Sequence, residues 1–420
     1  MLKITQIRNI HTFESLGLRD YRLLWLGGLN TSIGLWMDQV TRVWLIYALT
    51  HSALQLGLVS AVRGIPLLAF GVIAGAVADR YSRRAQIIIA QAVNAILNII
   101  LAILVFTGHV QPWHVYVTGF LSGTAQAFQQ PARQALVNDL VGRDLLLNAI
   151  ALNSAALNVS RSVGPALSGV LIQALGVDMS YFIQAALYAL ATVWTLQIRV
   201  PEFQRFPEAS KPVADQSLLS STKEGFAYII SNRLILSLMA LGLGPALMGM
   251  PFVSLMPIFA IDVFHGGATT QGMLLTLLGV GAILGALTVA SLGRRQTSGK
   301  LLITGAAGFG LCLVLFSQSP VMLIAVFFIL LAGFFSSGYT SQDQTIIQLL
   351  TPDALRGRVL GIYHLNHGLM PFGSLIAGIL ATSLGGPWAV TVMGTSCLLL
   401  AVAIRFCVPS LWKLRFTPEI

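Results

Sequence analysis

Long apolar runs recur along the whole chain, and short polar, charged or Gly/Pro-containing segments separate them. A helix needs about 20 apolar residues to cross the hydrocarbon layer of a bilayer. Twelve runs are long enough, so the pattern predicts an all-α membrane protein with twelve transmembrane helices. The predicted helices lie at 23–49, 53–78, 85–107, 113–138, 145–173, 180–198, 233–261, 271–293, 300–317, 320–347, 357–383 and 387–409.

The longest polar interval lies in the middle of the chain and divides these helices into two sets of six. The predicted parts are an N-terminal six-helix bundle at 1–198, a cytoplasmic central loop at 199–232 and a C-terminal six-helix bundle at 233–420. The halves also echo each other, since SGVLIQALG at 168–176 is similar to AGILATSLG at 377–385. Such a repeat predicts two pseudo-symmetric bundles around a central cavity.

The composition supports a lipid environment. Hydrophobic residues make up 55% of the 420 residues and the mean hydropathy is +0.79, whereas soluble domains contain about 45–50% apolar residues. The net charge of +10 does not indicate a nucleic-acid partner, because the basic residues do not form one stripe. They fall in short groups between apolar runs, as expected for residues that set membrane topology.

The lysines and arginines are confined to alternate connections between the helices. Basic residues occur before predicted helix 1, after predicted helices 2, 4, 8 and 10, around the central loop and at the end of the chain. The other connections, near 51, 109, 177, 266, 319 and 385, contain none. Because basic residues accumulate on the cytoplasmic side of a membrane, the alternation predicts that both termini are cytoplasmic.

The sequence carries no pattern of an enzyme. We find no phosphate-binding loop, nucleophile elbow or zinc-ligand set, so neither catalysis nor ATP-driven transport is expected. Cys312, Cys397 and Cys407 lie in apolar runs without metal-type spacing and are interpreted as small buried hydrophobic residues. No cofactor and no metal site are therefore predicted.

The connection after predicted helix 2 reads GAVADRYSRR, from Gly75 to Arg84. It resembles the signature G-x-x-x-D-R-x-G/S-R-R/K of the major facilitator superfamily, at the loop where that family carries it. The resemblance extends over essentially the whole chain. It implies the major facilitator fold and transport by alternating access.

In that family the acid and a following arginine form a breakable gate at the cytoplasmic end, which implies this role for Asp79 and Arg83. Arg80 and Arg84 complete the motif, and Asp139 at the end of predicted helix 4 is a further candidate partner. The residues alone support a simpler alternative, in which these charges only fix the topology. Gly75 would in either case allow two helices to approach closely.

Predicted helix 5 contains NVSRSVGPALSG at 158–169. It is similar to the helix-5 motif G-x-x-x-G-P-x-x-G-G of family members that export a substrate in exchange for protons. Gly164, Pro165 and Gly169 match this motif, and the resemblance implies export. The alternative is a packing kink, because proline frees a backbone carbonyl and small residues allow tight packing.

Two segments indicate the branch of the superfamily. They are most similar to the bacterial siderophore-exporter branch, whose members are also described as transmembrane secretion effectors. The first is the segment GIPLLAFGVIAGAVADRYSRR at 64–84, and the second is the helix-5 motif. The family's helix-4 motif Arg-x-x-Gln-Gly is not evident in LSGTAQAFQQ at 121–130. A proton-coupling arginine at that place is therefore not expected.

Ionisable residues inside the predicted helices cost roughly 2.5–3.5 kcal/mol each, so they should face a partner or a wet cavity. Asp38 and Arg42 are four residues apart on one helix face and can pair. Either they form a neutral structural bridge, or a proton on Asp38 releases Arg42 for the substrate. Asp343 is a second candidate for proton coupling. His364 and His367 are further candidates, since they can share a proton near neutral pH, unless they are only a packing pair.

The cations among these intramembrane residues outnumber the two aspartates, and a positively biased cavity suits an anionic or catechol-like substrate. Aromatic side chains could stack on a flat molecule, although core packing is their commoner use. The candidates for the substrate cavity are Trp36, Arg42, Arg63, Arg161, Tyr339 and Tyr363.

These patterns predict a secondary active transporter that exports a small organic molecule, siderophore-like or drug-like, in exchange for protons. The predicted location is the bacterial inner membrane, and the predicted partners are the small-molecule substrate, protons and membrane lipid, with no nucleic acid. A monomer is expected. The alternatives are uptake of an organic anion, which the arginines favour, and a non-transporting membrane sensor or assembly protein with the same fold.

Overall fold

The computed structural model describes residues 11–199, 218–292 and 298–414. These residues form helices almost throughout, as predicted, beginning with a 3-10 turn at His11–Gly17. The helices are α1 (Arg19–Thr50), α2 (Ala53–Arg80), α3 (Arg83–Phe106), α4 (Pro112–Leu175), α5 (Val177–Leu196), α6 (Leu218–Ser231), α7 (Arg233–Met248), α8 (Met256–Ile258), α9 (Ala268–Leu292), α10 (Gly299–Ser317), α11 (Met322–Leu350), α12 (Asp353–Leu384), α13 (Gly386–Cys407) and α14 (Pro409–Lys413).

Two predicted helices are joined in α4, and one is irregular. α4 runs through the predicted helices at 113–138 and 145–173 with a break at Gly142, whose φ of 68° suits glycine. We call the parts before and after Gly142 the first and second arms of α4. The predicted helix at 233–261 consists of α7, a 3-10 turn at Met250–Leu255, α8 and a π turn at Phe259–Val263.

Nine helical spans in the described part of the chain are apolar enough to cross a membrane on length and composition alone. α1 and the two arms of α4 are not among them, and they carry Asp38, Arg42, Arg133 and Arg161. Together with the nine apolar spans, these three segments make twelve long helical segments in the described part of the chain, as predicted. Their polarity agrees with their position, because each lines one of two adjoining cavities between the halves.

Part of the predicted central loop is helical. Residues 218–231 form α6, while residues 200–217 of the predicted loop lie outside the described residues. α6 packs against α12, where Glu224 forms an ion pair with Arg358. The end of the central interval is therefore held against the C-terminal half of the chain.

Each half of the chain packs mainly on itself. α1 to α5 contact one another, and so do α7 and α9 to α13. The interior of the second half is aromatic, with ring centroids of Phe259 and Phe316 4.8 Å apart. Cys312 and Cys397 are buried there as expected, whereas Cys407 at the end of α13 is exposed, contrary to the sequence-based interpretation. Cys407 is the last residue of α13, and its position at the helix end explains why its side chain is exposed.

The halves meet along two helix pairs, α2 with α12 and the second arm of α4 with α9. Glycines permit the close approach. A Cβ on Gly57 would lie 2.5 Å from the carbonyl oxygen of Ser374, and a Cβ on Gly169 would lie 2.8 Å from that of Ala268. Both contacts lie toward the end of the molecule that is remote from the basic connections.

α2 and α12 separate toward the opposite end. Gly71 and Gly75 follow Gly64 by seven and eleven residues, so all three lie on one face of α2. A Cβ on Gly64 would touch Pro371 of α12 at 1.9 Å, but a Cβ on Gly71 or Gly75 would have no atom of a described side chain or backbone within 4 Å. Gly357 of α12 is equally open. The halves are thus closed against each other at one end and separated at the end with the basic connections.

Candidate functional site

A cavity of about 320 Å³ lies between the two halves. α1, α2 and the first arm of α4 form one wall, which includes Arg42, Arg63 and Gln126. The 3-10 turn after α7 and α12 form the other wall, which includes Met250 and Met370. Among the described residues, the charged side chains of this cavity all come from the first half. A ligand would therefore meet cations on one side and adaptable thioether side chains on the other.

Asp38 is held between two arginines behind this cavity. Arg42 donates to it through Nε (3.1 Å to Oδ2) and Nη2 (2.9 Å to Oδ1), and Nη1 of Arg63 lies 3.1 Å from Oδ2. The contact with Arg42 agrees with the four-residue spacing, whereas the contact with Arg63 of α2 was not predicted. Two guanidinium groups and one carboxylate leave the cluster with one net positive charge.

Arg42 also fastens α1 to the first arm of α4. Its Nη1 donates to the carbonyl oxygen of Val115 and to Oγ1 of Thr118, each at 2.9 Å. All three of its nitrogens therefore have partners, and the residue is only 3% exposed. Arg63 differs, because its Nη2 is buried and has no hydrogen-bond partner in the described structure. Arg42 is the anchored cation of the cluster, and Arg63 keeps an unused donor.

A smaller chamber of about 90 Å³ adjoins the cavity and shares several wall residues with it, including Trp36 and Met370. Arg161 of the second arm of α4 lines this chamber. Its Cζ lies 5.6 Å from the centroid of the Trp36 ring, a distance at which a cation interacts with an aromatic face. The structure thus brings together the predicted cavity residues Trp36, Arg42, Arg63 and Arg161.

Asp343 of α11 lies outside this cavity, in the interior of the second half. It is fully buried, it interacts with the side chain of Tyr363, and neither carboxyl oxygen has a hydrogen bond of ordinary geometry within the described part of the chain. Tyr363 and Tyr339 are also buried and do not line the cavity. The side chains of His364 and His367 lie outside the described residues, and their role stays a prediction.

The connection between α2 and α3 carries the family signature. Arg83 forms an ion pair of 2.5 Å with Asp139 at the end of the first arm of α4, and Arg84 donates to carbonyl oxygens at the end of α5. Asp79 and Arg80 are exposed, and Asp79 has no ion pair with another described residue. In this conformation Arg83 meets the additional candidate Asp139. A gate that includes Asp79 stays a prediction.

The helix-5 motif lies where the second arm of α4 crosses two other helices. A Cβ on Gly164 would lie 2.5 Å from Cβ of Trp36 on α1, and a Cβ on Gly169 would lie 3.0 Å from Cα of Gly272 on α9. Pro165 lines the smaller chamber between these crossings. The packing explains the small residues, and the role of the motif in export stays a prediction.

One contact between the halves had no signal in the sequence. The Tyr47 hydroxyl at the end of α1 donates to Asp262 in the π turn, at the closed end of the molecule. The ring of Tyr47 also meets the ring of His51, with centroids 5.7 Å apart. The two methionines of the cavity were likewise missed, because a methionine in an apolar helix looks the same whether it lines a cavity or fills a core.

Comparison with known proteins gives a family match over nearly the whole chain. The sequence model of a family described as transmembrane secretion effector matches residues 10–415. The staphyloferrin A transporter of Staphylococcus aureus (strain NCTC 8325 / PS 47) is 26% identical over 380 residues, covering 89% of this chain and 92% of that protein. The enterobactin exporter EntS of Citrobacter koseri is 26% identical over 376 residues, covering 89% of this chain and 88% of that protein.

Solved structures with the same fold include the nucleoside transporter NupG, with a TM-score of 0.72 and 15% identity over 94% of this chain and 99% of that one. A bacterial homologue of the human lysosomal transporter Spinster, in an inward-facing and unoccupied conformation, has a TM-score of 0.70 and 15% identity, covering 98% of this chain and 100% of that one. These similarities show the fold. The chain belongs to the transmembrane secretion effector family of the major facilitator superfamily, and it is a membrane transporter rather than an enzyme.

Proposed function

We propose that this transporter exports a small organic anion of the siderophore type across the bacterial inner membrane in exchange for protons. The observation that carries the proposal is the cavity between the halves, with Asp38 bracketed behind it by Arg42 and Arg63. Both termini lie in the cytoplasm, and the separated end of the halves is the loading side. One chain forms the whole cavity, which supports a monomer as the working unit.

The charge of the cavity supports an anionic substrate. Arg63 has an unused donor beside the cavity, and a guanidinium group binds carboxylate and catecholate oxygens well because it presents several N–H groups in one plane. The apolar wall of the second half can cover the rest of a flat or flexible molecule. Two relatives carry staphyloferrin A and enterobactin in their names, and this chain covers most of the length of both, which supports a siderophore-type substrate.

Outward direction is supported by the helix-5 motif at Gly164, Pro165 and Gly169, because the motif resembles that of proton-exchanging exporters. The motif borders the smaller chamber through Pro165 and the contact with α9 through Gly169, so a movement of this arm would affect substrate access and closure together. Alternating access requires such a shared element.

Asp343 is our candidate for the proton site. An isolated carboxylate in a protein interior is costly, and a buried acid with no ion pair to any described residue is therefore suited to carry a proton. Asp343 also lies away from the cavity, so a proton there would act on the movement of the halves without occupying the substrate site. Exchange requires that the proton and the substrate are not carried in the same step, which separate sites can satisfy through the movement of the halves.

Asp38 favours a second candidate function. Protonation of Asp38 would free Arg42 and Arg63, and the freed guanidinium groups would bind an anion more strongly. A proton and an anion would then bind together and move in the same direction. With Asp38 as the proton site, the protein would take up an organic anion with protons.

Proteoliposomes that contain a pH-sensitive dye distinguish these functions. We expect entry of staphyloferrin A or enterobactin to drive protons out of the vesicles, whichever way the protein is inserted. Asp343→Asn should abolish the proton movement, whereas Asp38→Asn should keep its direction. Asp353→Asn is the matched control, because Asp353 is exposed at the start of α12.

The other results of the vesicle experiment would each support a different function or proton site. Proton entry together with substrate, lost in Asp38→Asn, would establish the uptake function instead. Retention of coupled transport in both variants would show that neither acid is the proton site. Absence of transport for carboxylate and catecholate siderophores would show that the substrate belongs to another chemical class.

A further inference from the structure

Arg161 is the arginine of the smaller chamber. In the described part of the chain it makes no ion pair or hydrogen bond, and its recorded contact is with the face of Trp36. The other intramembrane arginines are satisfied differently: Arg42 and Arg63 bind Asp38, and Arg133 donates to Oγ1 of Thr31 and to the backbone of α1. A cation retained inside a membrane helix without such a partner is expected to serve a ligand.

The position of Arg161 relative to Arg63 defines a two-part site. Arg63 lines the larger chamber and Arg161 lines the smaller one. Trp36, Gln39 and Met250 line both chambers, so no helix separates them. One bound molecule could therefore contact both arginines while it covers the face of the tryptophan between them.

The charges of the site do not cancel. Three guanidinium groups, those of Arg42, Arg63 and Arg161, face one carboxylate, that of Asp38, which leaves two uncompensated positive charges among the described residues of the two chambers. These two charges lie in different chambers, because Asp38 pairs only with the arginines of the larger one. A ligand with a single acidic group can compensate one of them.

We infer that Arg161 is a second anion anchor and that the substrate carries at least two acidic groups, one held by Arg63 and the other by Arg161 over Trp36. This inference rests on the proposed transport of an organic anion and adds the number and placement of its charges. Leu275 and Leu278 of α9 and the methionines of the second half would cover the apolar body of the molecule. Arg161 is thus a residue that selects substrates by charge number.

Calorimetric titration of the full-length protein in lipid nanodiscs tests the inference with benzoate, isophthalate and trimesate, which carry one, two and three carboxylates on the same ring. We expect isophthalate to bind about tenfold more tightly than benzoate, the order of one additional charge-assisted hydrogen-bond pair. Arg161→Gln should bring the ratio of the two affinities close to one. Arg161→Lys should keep a reduced preference, because it retains the charge without the planar guanidinium group.

The matched control is Arg405→Gln. Arg405 also lies over a tryptophan, Trp412, with its Cζ 4.2 Å from the ring centroid, but on α13 outside the cavity. Arg405→Gln should leave the affinities for benzoate and isophthalate unchanged. Equal affinities of the parent for benzoate and isophthalate, or an equal loss for both in Arg161→Gln, would overturn the second anchor alone. Absence of binding for all three carboxylates would overturn the proposed anion transport as well.

Discussion

Asp38 makes two arginines tolerable inside a membrane protein. A guanidinium group near the bilayer centre costs roughly 2.5–3.5 kcal/mol when it is unpaired. The carboxylate lies within 3.1 Å of both Arg42 and Arg63, so it compensates part of this cost for each. The remaining positive charge faces the cavity. One acid therefore both stabilises the cluster and leaves a site for an anion.

The residue spacing predicted the pair of Asp38 and Arg42 but not the third member of the cluster. Four residues in a helix always bring two side chains to the same face. The approach of Arg63 depends instead on how α2 is rotated against α1, which no local pattern contains. The sequence left open whether Asp38 and Arg42 form a neutral bridge or a proton switch. With Arg63 included, the same question applies to a three-residue cluster with one net positive charge.

Arg42→Lys should destabilise the protein although it conserves the charge. Lysine can still pair with Asp38, but it cannot at the same time donate to Val115 and Thr118. We expect a loss of about 1–3 kcal/mol of stability and a lower melting temperature in detergent, measured by intrinsic fluorescence. Arg19→Lys is the control, because that side chain is 53% exposed. Equal melting temperatures for Arg42→Lys and the parent would argue against the anchoring role.

Asp79→Asn should lower the rate of transport by about tenfold and leave substrate affinity nearly unchanged. Asp79 has no ion-pair partner among the described residues in this conformation, so its contribution is expected in the alternate one, when the separated ends approach. Transport into proteoliposomes at several substrate concentrations separates the two effects. Asp144→Asn, an exposed acid just after Gly142, is the control and should behave like the parent.

At the scale of the elements, the three most polar long segments all line a chamber, but apolar helices do so too, since α2 and α12 also line the cavity. α1 and the two arms of α4 are these more polar segments, and each lines the cavity or the smaller chamber beside it. Their boundaries were still predicted within a few residues, because the polar connections on either side are clear. The irregular path of α7 and α8 was not predicted, although Pro251 and Pro257 mark the places where regular hydrogen bonding is interrupted.

Gly169→Val should disturb the crossing of the second arm of α4 with α9. Its Cβ would lie 2.8 Å from the carbonyl oxygen of Ala268, and backbone atoms on both sides leave little room for adjustment. We expect a loss of about 1–3 kcal/mol of stability and a lower melting temperature. Gly361→Val is the matched control, since a Cβ there would meet no atom of the described residues within 4 Å. Similar melting temperatures for the two variants would show that this crossing is not tightly packed.

At the scale of the whole molecule, the two halves touch at one end and separate at the other. The closed end combines glycine crossings between helices with the polar contact of Tyr47 and Asp262. The separated end carries the basic connections of both halves and no glycine contact between α2 and α12 at Gly71 or Gly75. In the proposed export cycle the substrate enters from the separated end, and the contacts at the closed end must break before the substrate can leave.

Tyr47→Phe should weaken the closed end without removing the ring that meets His51. A hydrogen bond to a charged group contributes about 1.5–3 kcal/mol, which corresponds to a population shift of about tenfold or more. Spin labels at Tyr81 and Asp353, on the separated end, should then show a larger fraction of short distances, because opening one end accompanies closure of the other.

Tyr116→Phe is the matched control for this measurement. The Tyr116 hydroxyl is buried and has no hydrogen-bond partner in the described structure, so its removal should leave the distance distribution unchanged. An unchanged distribution in Tyr47→Phe as well would mean that Tyr47 and Asp262 do not hold the halves together.

The sequence by itself determined the helical membrane class, the twelve apolar segments and the residues that carry charge inside them. These properties are local, since the length of an apolar run and the spacing of charges along a helix follow directly from residue order. Only the tertiary structure decided that Arg63 joins Asp38, that Arg161 lies over Trp36, that Asp343 lies outside the cavity and that Tyr47 binds Asp262. These contacts join residues far apart in the chain, and they depend on the rotation and crossing of whole helices, which apolar periodicity does not specify.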